Sequence, residues 1–489
     1  MEGEREEQGE ITQREDSSRE KGFGKDFVEV MESTWDFTAA VRGRRSKMPS
    51  RWGSLPDLCL EHVFGFLPYC NRRNAALVCH HWYRVMHSPS LWRFRVFQFS
   101  GRMSIYRRSE GLSAVAYVRS MGIYLKRLQV LVYPPHRNFR AQKLEQAIND
   151  LLTELLRVRA PLQSFSLVGL ELDRCCWSVE PKDRIVSGLC HFLRRSTLTS
   201  VCLNDMRNHL HDGLEVLSAL SHSQCQDHPR ANISSLQLKG FFSSIRPAYP
   251  SVSDAFFHLH SLTNLSLNYT CLSNDLLTVL QHGHQPLQQY SSRKKNTLQT
   301  FSLYCTLNDL YQQLVSGDLW ASLASSCSNL KVKFTVDQVI NNNHLARILL
   351  PEIPLTEYTM TAFCTPDTDW SAKPLLNDML PQYRYSLQYL FLDLTNDEPL
   401  DVELLQLVRV CECLEQLTVW AFLEIKTVER LLNIRMTERN SLNTIRMKIY
   451  TLDDDIKEQE DQLEKILSCY ELLPPELEMF AIVYPFIDS

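Results

Sequence analysis

The sequence predicts an α/β protein: a small three-helix head, then a solenoid with parallel strands on its concave side and helices on its convex side. Three observations predict it. One strand-like motif recurs about a dozen times after residue 120. Helical periodicity fills the intervals between the copies. The roughly fifty residues before residue 98 hold three short apolar segments of helical pattern, broken by Pro68 and a Ser-Pro turn.

The head comes first. In "WGSLPDLCLEHVFGFL" (residues 52–67), Ser54, Pro56 and Asp57 mark a helix start, with Ser54 as cap and Pro56 in the first turn. Leu55, Cys59, Val63 and Phe66 form one row along this helix, and Leu60, Phe64 and Leu67 form an adjacent one. The helix is therefore apolar around much of its girth. A second helix is expected over "NRRNAALVCHHWYRVMHS" (71–88), with Ala75, Val78, Cys79, Trp82 and Met86 on one face. Leu91 and Trp92 follow the Ser-Pro turn. So small a unit hides a low fraction of its own apolar surface, so a partner or a neighbouring domain has to cover the rest.

The array has the theme apolar, two residues, apolar, one residue, apolar, which is the strand core of a leucine-rich repeat. Copies begin with Leu125-Leu128-Val130, Leu162-Phe165-Leu167, Leu198-Val201-Leu203 and Ile233-Leu236-Leu238. Leu262-Leu265-Leu267, Leu298-Phe301-Leu303, Leu330-Val332-Phe334 and Leu355-Tyr358-Met360 continue the series. Leu387-Leu390-Leu392, Leu414-Leu417-Val419, Leu442-Ile445-Met447 and Leu477-Phe480-Ile482 complete it. Starts are spaced by roughly 25–37 residues, which leaves room for a helix and a loop in each repeat. "LEQAINDLLTELL" (144–156), "HLARILL" (344–350) and "DVELLQLVRVC" (401–411) supply helical faces, and the acidic "TLDDDIKEQEDQLEKIL" (451–467) reads as a more exposed helix near the terminal cap.

Side chains between the core positions point to the other face of the sheet. Early repeats place small or polar residues there: Ser164, Ser166, Ser200, Asn204, Ser235, Gln237, Asn264 and Ser266. Later repeats place Tyr304, Tyr389, Phe391, Asp393, Trp420, Arg446 and Lys448. Exposed Tyr, Trp and Arg dominate protein interfaces, so these seven are the expected substrate-binding residues, centred on Phe391 and Trp420. Cover by loops or by the tail is the competing explanation for the rings.

Composition bounds the rest. With 44% hydrophobic and 22% charged residues the balance is globular, and 489 residues suffice for two or more domains. The net charge of -5 argues against general nucleic-acid binding. No apolar run reaches the ~18 residues of a membrane span, and the N-terminus carries no apolar signal core. Fifteen scattered cysteines without a C-x-x-C pair read as reduced thiols of the cytosol or nucleus. Residues 1–51 have the composition of a disordered tail, with the basic "RGRRSK" (42–47) inside it.

Metal and nucleotide chemistry find no support. His80-His81, His209-x-His211, His282-x-His284, Cys175-Cys176 and Cys411-x-Cys413 are close pairs without a second pair at zinc-like distance. There is no Walker loop, dinucleotide fingerprint or G-x-S-x-G elbow. The expectation is therefore no catalytic residue, no metal and no cofactor.

"LPDLCLEHVFGFL", "AALVCHHW" and "LW" together resemble an F-box over about residues 52–97, and the chain as a whole resembles F-box proteins with a C-terminal leucine-rich-repeat array over residues 120–489. The sequence departs from many F-boxes at Asn71-Arg72, where Asp-Leu is common. The resemblance implies docking on the S-phase-kinase-associated adaptor, and through it on cullin and RING subunits of a ubiquitin ligase. It places adaptor contacts at Leu55, Pro56, Leu60, Val63, Phe64, Leu67, Val78, Cys79, Trp82, Leu91 and Trp92. A protein substrate would lie on the repeats. Two alternatives stand beside this: a repeat scaffold that does not direct ubiquitination, and a cysteine-dependent ligase using Cys79 beside His80 and His81.

Overall fold

The computed structural model describes residues 55–67, 69–100, 110–222, 233–243, 250–259, 261–282, 297–307, 309, 311, 314–363, 370–452, 456–470 and 474–486. The tail, its basic cluster and the Ser54 cap lie outside the described residues. Two compact units emerge. One runs up to Lys126 and includes Pro135–Pro161; the other comprises Arg127–Pro134 and Leu162 onward. The division falls within the stretch that the sequence assigned wholly to repeats.

In the first unit, α1 (Asp57–Gly65), α2 (Tyr69–Ala76), α3 (His80–Met86) and a 3-10 turn (Pro89–Trp92) form the trihelical head. Strand β1 (Phe94–Phe99), α4 (Glu110–Met121) and α5 (Asn138–Arg157) complete the unit. The expected helix over 71–88 is in fact two. Cys79 adopts an extended conformation (φ -160°, ψ 167°), and its thiol accepts the Trp82 backbone N–H at 3.5 Å, so a new helix starts there. This break turns Val78 into solvent, away from the row it was expected to share with buried Ala75 and Met86. The two rows of α1 also separate: Leu60 and Phe64 are buried, while Cys59, Val63 and Phe66 are exposed.

The interior of α5 carries an unforeseen charge. Glu154 lies buried among Leu151, Leu152 and Leu155, and its Oε1 accepts bonds from Arg157 and Arg119. Those bonds, the Arg157 one foremost, hold its carboxyl below the usual value against the opposing effect of burial.

The second unit is a parallel sheet in chain order, each strand beside its sequence neighbours. Its strands are β2 (Arg127–Val132), β3 (Ser164–Val168), β4 (Ser200–Cys202), β5 (Ser235–Gln237), β6 (Asn264–Asn268) and β7 (Thr300–Thr306). They continue as β8 (Lys331–Asp337), β9 (Leu355–Ala362), β10 (Tyr389–Leu394), β11 (Gln416–Phe422), β12 (Thr444–Thr451) and β13 (Glu478–Pro485). Between them run α6 (Val179–Arg195), α7 (Leu210–His222), α8 (Pro250–Phe256), α9 (Asn274–His282), α10 (Gly317–Ser326) and α11 (Asn342–Ile348). Further on come α12 (Asp401–Val410), α13 (Ile425–Thr437) and α14 (Ile456–Ser468).

Strict alternation explains this architecture. Leu390, Leu417 and Ile445 sit directly opposite one another across β10, β11 and β12, and all three are fully buried. Leu392, Val419 and Met447 form the next buried rung. Truncating one such leucine to alanine would cost about 2–5 kcal/mol. Polar side chains serve the strand ends: Asn204 Oδ1 accepts the Lys239 backbone N–H at 3.0 Å, and Asn268 Oδ1 accepts that of Gly240. Gly169 must be glycine, because its φ is +82° and a Cβ would stand 2.5 Å from the Val132 carbonyl oxygen.

One strand departs from the expected phase. Ile445 pairs with Met479 and Met447 with Ala481, so Met479, Ala481 and Val483 continue the inner rows. Phe480 and Ile482, expected in the core, instead share the open face with Arg446 and Lys448. In "EMFAIVYP" both parities are apolar, so alternation alone does not fix the phase.

Candidate functional site

Two surfaces stand out, one in each unit. In the head, the residues expected at the adaptor contact divide by depth. Leu60, Phe64, Leu91 and Trp92 are buried and form the head's own core. Phe64 meets Trp82 edge-on at 5.1 Å, and Trp92 Nε1 donates to the Met86 carbonyl at 2.8 Å. Leu55, Leu67 and Trp82 are half-buried, while Pro56, Val63, Val78 and Cys79 are exposed. Leu58 (80% exposed), Phe66 (76%) and Leu77 (56%) add to the exposed apolar set. The sequence reading assigned these three no contact; Phe66 had its signal in the spacing, seven residues after Cys59 and three after Val63 on the exposed row.

Polar bonds fix the head's geometry. His81 Nε2 donates to Asp57 Oδ1 at 2.7 Å, and Arg84 Nη2 donates to the same carboxylate at 3.1 Å, tying the start of α1 to α3. The His81 bond foremost lowers the Asp57 carboxyl from its ordinary value. Arg72, the departure from the common pattern, is a structural clamp. Its guanidinium donates to the carbonyl oxygens of Leu91 (2.5 Å), Leu67 (3.3 Å) and Gly65 (3.3 Å) and lies over the Trp92 ring. Gly65 and Leu67 are at the C-terminal end of α1, where carbonyls lack intrahelical partners.

Cysteine chemistry has a structural explanation here. The Cys79 thiol caps α3, and His81 is engaged by Asp57. Burial pushes the thiols of Cys190, Cys271 and Cys411 up to about 12 and that of Cys327 up to about 11, so each remains protonated at neutral pH. Among the described residues no group of three His, Cys, Asp or Glu is placed to hold a metal ion, and no helix is long and apolar enough to cross a membrane.

On the open face of the sheet, β10 to β13 bring most of the expected substrate residues together. Phe391 and Trp420 meet edge-on at 5.1 Å. Lys448 Nζ stands 5.3 Å from the Trp420 ring centroid, 5.2 Å from that of Tyr450 and 3.7 Å from that of Tyr484. Asp393 is oriented by the Tyr450 hydroxyl, which donates to it at 2.9 Å; it is buried, and burial raises its carboxyl while that bond and Lys448 oppose the rise. Arg446 pairs with Glu478 at 2.5 Å, and Tyr389 is one outward position before Phe391 on the same strand.

Tyr304 is not part of this group. Its register partners run Thr335, Thr359, Phe391, which puts it three strands away, about 14 Å. It has a separate cation contact, with Lys239 Nζ 4.9 Å from its ring centroid. Tyr450, Phe480, Ile482 and Tyr484, none of them expected here from the sequence, complete the patch. Phe480 and Tyr484 are 54% and 47% exposed.

A family model described as F-box-like matches residues 52–98. The F-box/LRR-repeat protein 21 of Mus musculus is 26% identical over 231 residues, covering 47% of this chain and 48% of the relative. That of Ovis aries is 25% identical over 233 residues, covering 47% and 49%. The chain spans about half the length of the curated relatives it matches. The Rad7–Elc1 complex of yeast aligns with a TM-score of 0.35 at 13% identity, over 87% of this chain and 93% of that one. The chain thus carries an F-box-like segment ahead of a leucine-rich-repeat-like sheet, and over about half its length it is similar to F-box/LRR-repeat protein 21.

Proposed function

We propose that this chain is the substrate-recognition subunit of a cullin-RING ubiquitin ligase of the SCF type. The head docks on the S-phase-kinase-associated adaptor, and the open face of β10–β13 holds a protein substrate. The single observation that carries the reading is the head's exposed apolar set, in which Leu58, Val63, Phe66, Leu77 and Val78 stand in water on a unit that matches the F-box-like family. Apolar side chains exposed together on a small helical unit mark a protein contact.

The contribution to catalysis is positional. The chain is a non-catalytic scaffold that raises the effective concentration of an acceptor lysine beside a ubiquitin-charged enzyme. Within the F-box proteins, "WRFRVFQFSGR" and "FAIVYPF" give the whole chain a resemblance to F-box only protein 39. The site of action is the cytosol or the nucleus. Co-expression with the adaptor and cullin tests the proposal: a stable ternary complex is expected, and a chain that leaves both partners unbound overturns it.

A further inference from the structure

Beside the aromatic patch, at the C-terminal ends of β11 and β12, lies a cavity of about 950 Å³ open to solvent. Phe422 and Tyr450 line it; their ring centroids stand 5.7 Å apart and lie 5.2 and 5.4 Å from that of Phe486. Among the described residues, four carboxylates also line it, Asp397, Asp401, Glu424 and Glu458, with one ammonium, Lys426. Asp401 is held at the wall by the Thr427 hydroxyl and the Glu424 backbone N–H, both donating to its Oδ1. Glu424 also meets Arg430 at 3.5 Å, an exposed pair that solvent screens.

We infer that this cavity receives an arginine side chain from the protein segment that lies on the open face. The inference rests on reading that face as the substrate surface. Tyr450 joins the two places: its hydroxyl holds Asp393 on the sheet, and the residue lines the cavity. Phe422 and Tyr450 lie two residues along the same strands from Trp420 and Lys448, so a chain segment crossing those two side chains reaches the cavity within about 7 Å. Charge complementarity selects the occupant, since the described lining side chains include four carboxylates and one ammonium, with Arg430 beside Glu424 and Gln462 Nε2 donating to Glu458 at 3.4 Å. The same carboxylates do not converge on a metal, because no three among the described residues are so placed. Aromatic rings and carboxylates line it together, which suits a planar guanidinium more than a compact ammonium. Guanidinium stacks on aromatic rings and pairs with carboxylates two bonds at a time.

The test uses the intact chain purified with the adaptor and a positional-scanning decapeptide library, each position fixed in turn as Arg, Lys, Gln or Glu, read by fluorescence anisotropy. Arginine pools should bind about tenfold more tightly than glutamine pools, a difference of about 1.4 kcal/mol. Asp397→Asn combined with Glu458→Gln should remove that preference and leave the glutamine pools unchanged. Equal binding of arginine and glutamine pools, a preference that survives the double substitution, or no binding by any pool overturns the inference. So does saturable calcium binding, followed by tryptophan fluorescence, that the double substitution abolishes without any arginine preference. Phe391→Ala with Trp420→Ala separates the two readings. If it spares all peptide binding while the carboxylate variant alone loses the arginine preference, the cavity stands and the face does not.

Discussion

Arg72 Nη1 donates to the carbonyl oxygen of Leu91 at 2.5 Å, so a side chain midway along α2 closes the head against the turn that carries Trp92. Hydrogen bonds from a charged donor contribute about 1.5–3 kcal/mol each when well formed, and two of the three here are long and partly exposed. Arg72→Leu, which restores the more common residue, should therefore destabilise the head by about 2 kcal/mol. Urea unfolding followed by tryptophan fluorescence measures it; an unchanged midpoint would show that the clamp contributes nothing.

The exposed apolar set predicts loss of adaptor binding without loss of fold. Phe66→Asp and Val78→Asp change side chains that are already in water, so thermal unfolding should move by less than about 0.5 kcal/mol. Each should weaken adaptor binding by about 2 kcal/mol, roughly thirtyfold, as for a central apolar contact. Isothermal titration of the intact chain with purified adaptor reads the affinity, and calorimetric melting of the chain alone reads the stability.

The Phe391–Trp420 pair predicts a separable defect on the other surface. Both rings are half-buried on the open face and neither closes the core, so Phe391→Ala with Trp420→Ala should leave the adaptor complex intact. Recovery of substrate in a pulldown should fall at least tenfold. Unchanged recovery by a folded double variant would reject the site.

Glu154 predicts a pH-dependent term in stability. Its carboxyl is lowered in the folded state, by Arg157 first, so its contribution is present above the unfolded value and is lost as pH falls through the depressed folded value. Because both arginines are more than half exposed, solvent screens the pair and the expected size is about 1 kcal/mol. Glu154→Gln should be less stable than the parent at pH 7 by that amount, and the gap should narrow below the ordinary glutamate value of 4.5. A gap that stays constant down to pH 3 would contradict the assignment.

Much of this was legible in the sequence, for a physical reason. Leu390, Leu417 and Ile445 repeat because parallel strands in register must stack one buried side chain on the next, and a period-2 pattern records that directly. The phase of β13 was not legible, since Met479 and Phe480 satisfy alternation equally and only the pairing with Ile445 decides between them. The break at Cys79 was hidden because a thiol as helix cap has no strong sequence signature. Depth within the head was also hidden: Leu60 and Val63 belong to the same motif, yet one is core and the other surface. Tyr450 was overlooked because its role, holding Asp393 from two strands away, exists only in three dimensions.

The most direct test of the central claim is size-exclusion chromatography with light scattering of the intact chain mixed with the S-phase-kinase-associated adaptor and cullin. A one-to-one-to-one complex is predicted, and Phe66→Asp with Val78→Asp should dissolve it while the chain stays folded. A chain that elutes alone, monodisperse and folded, in the presence of both partners would contradict the account.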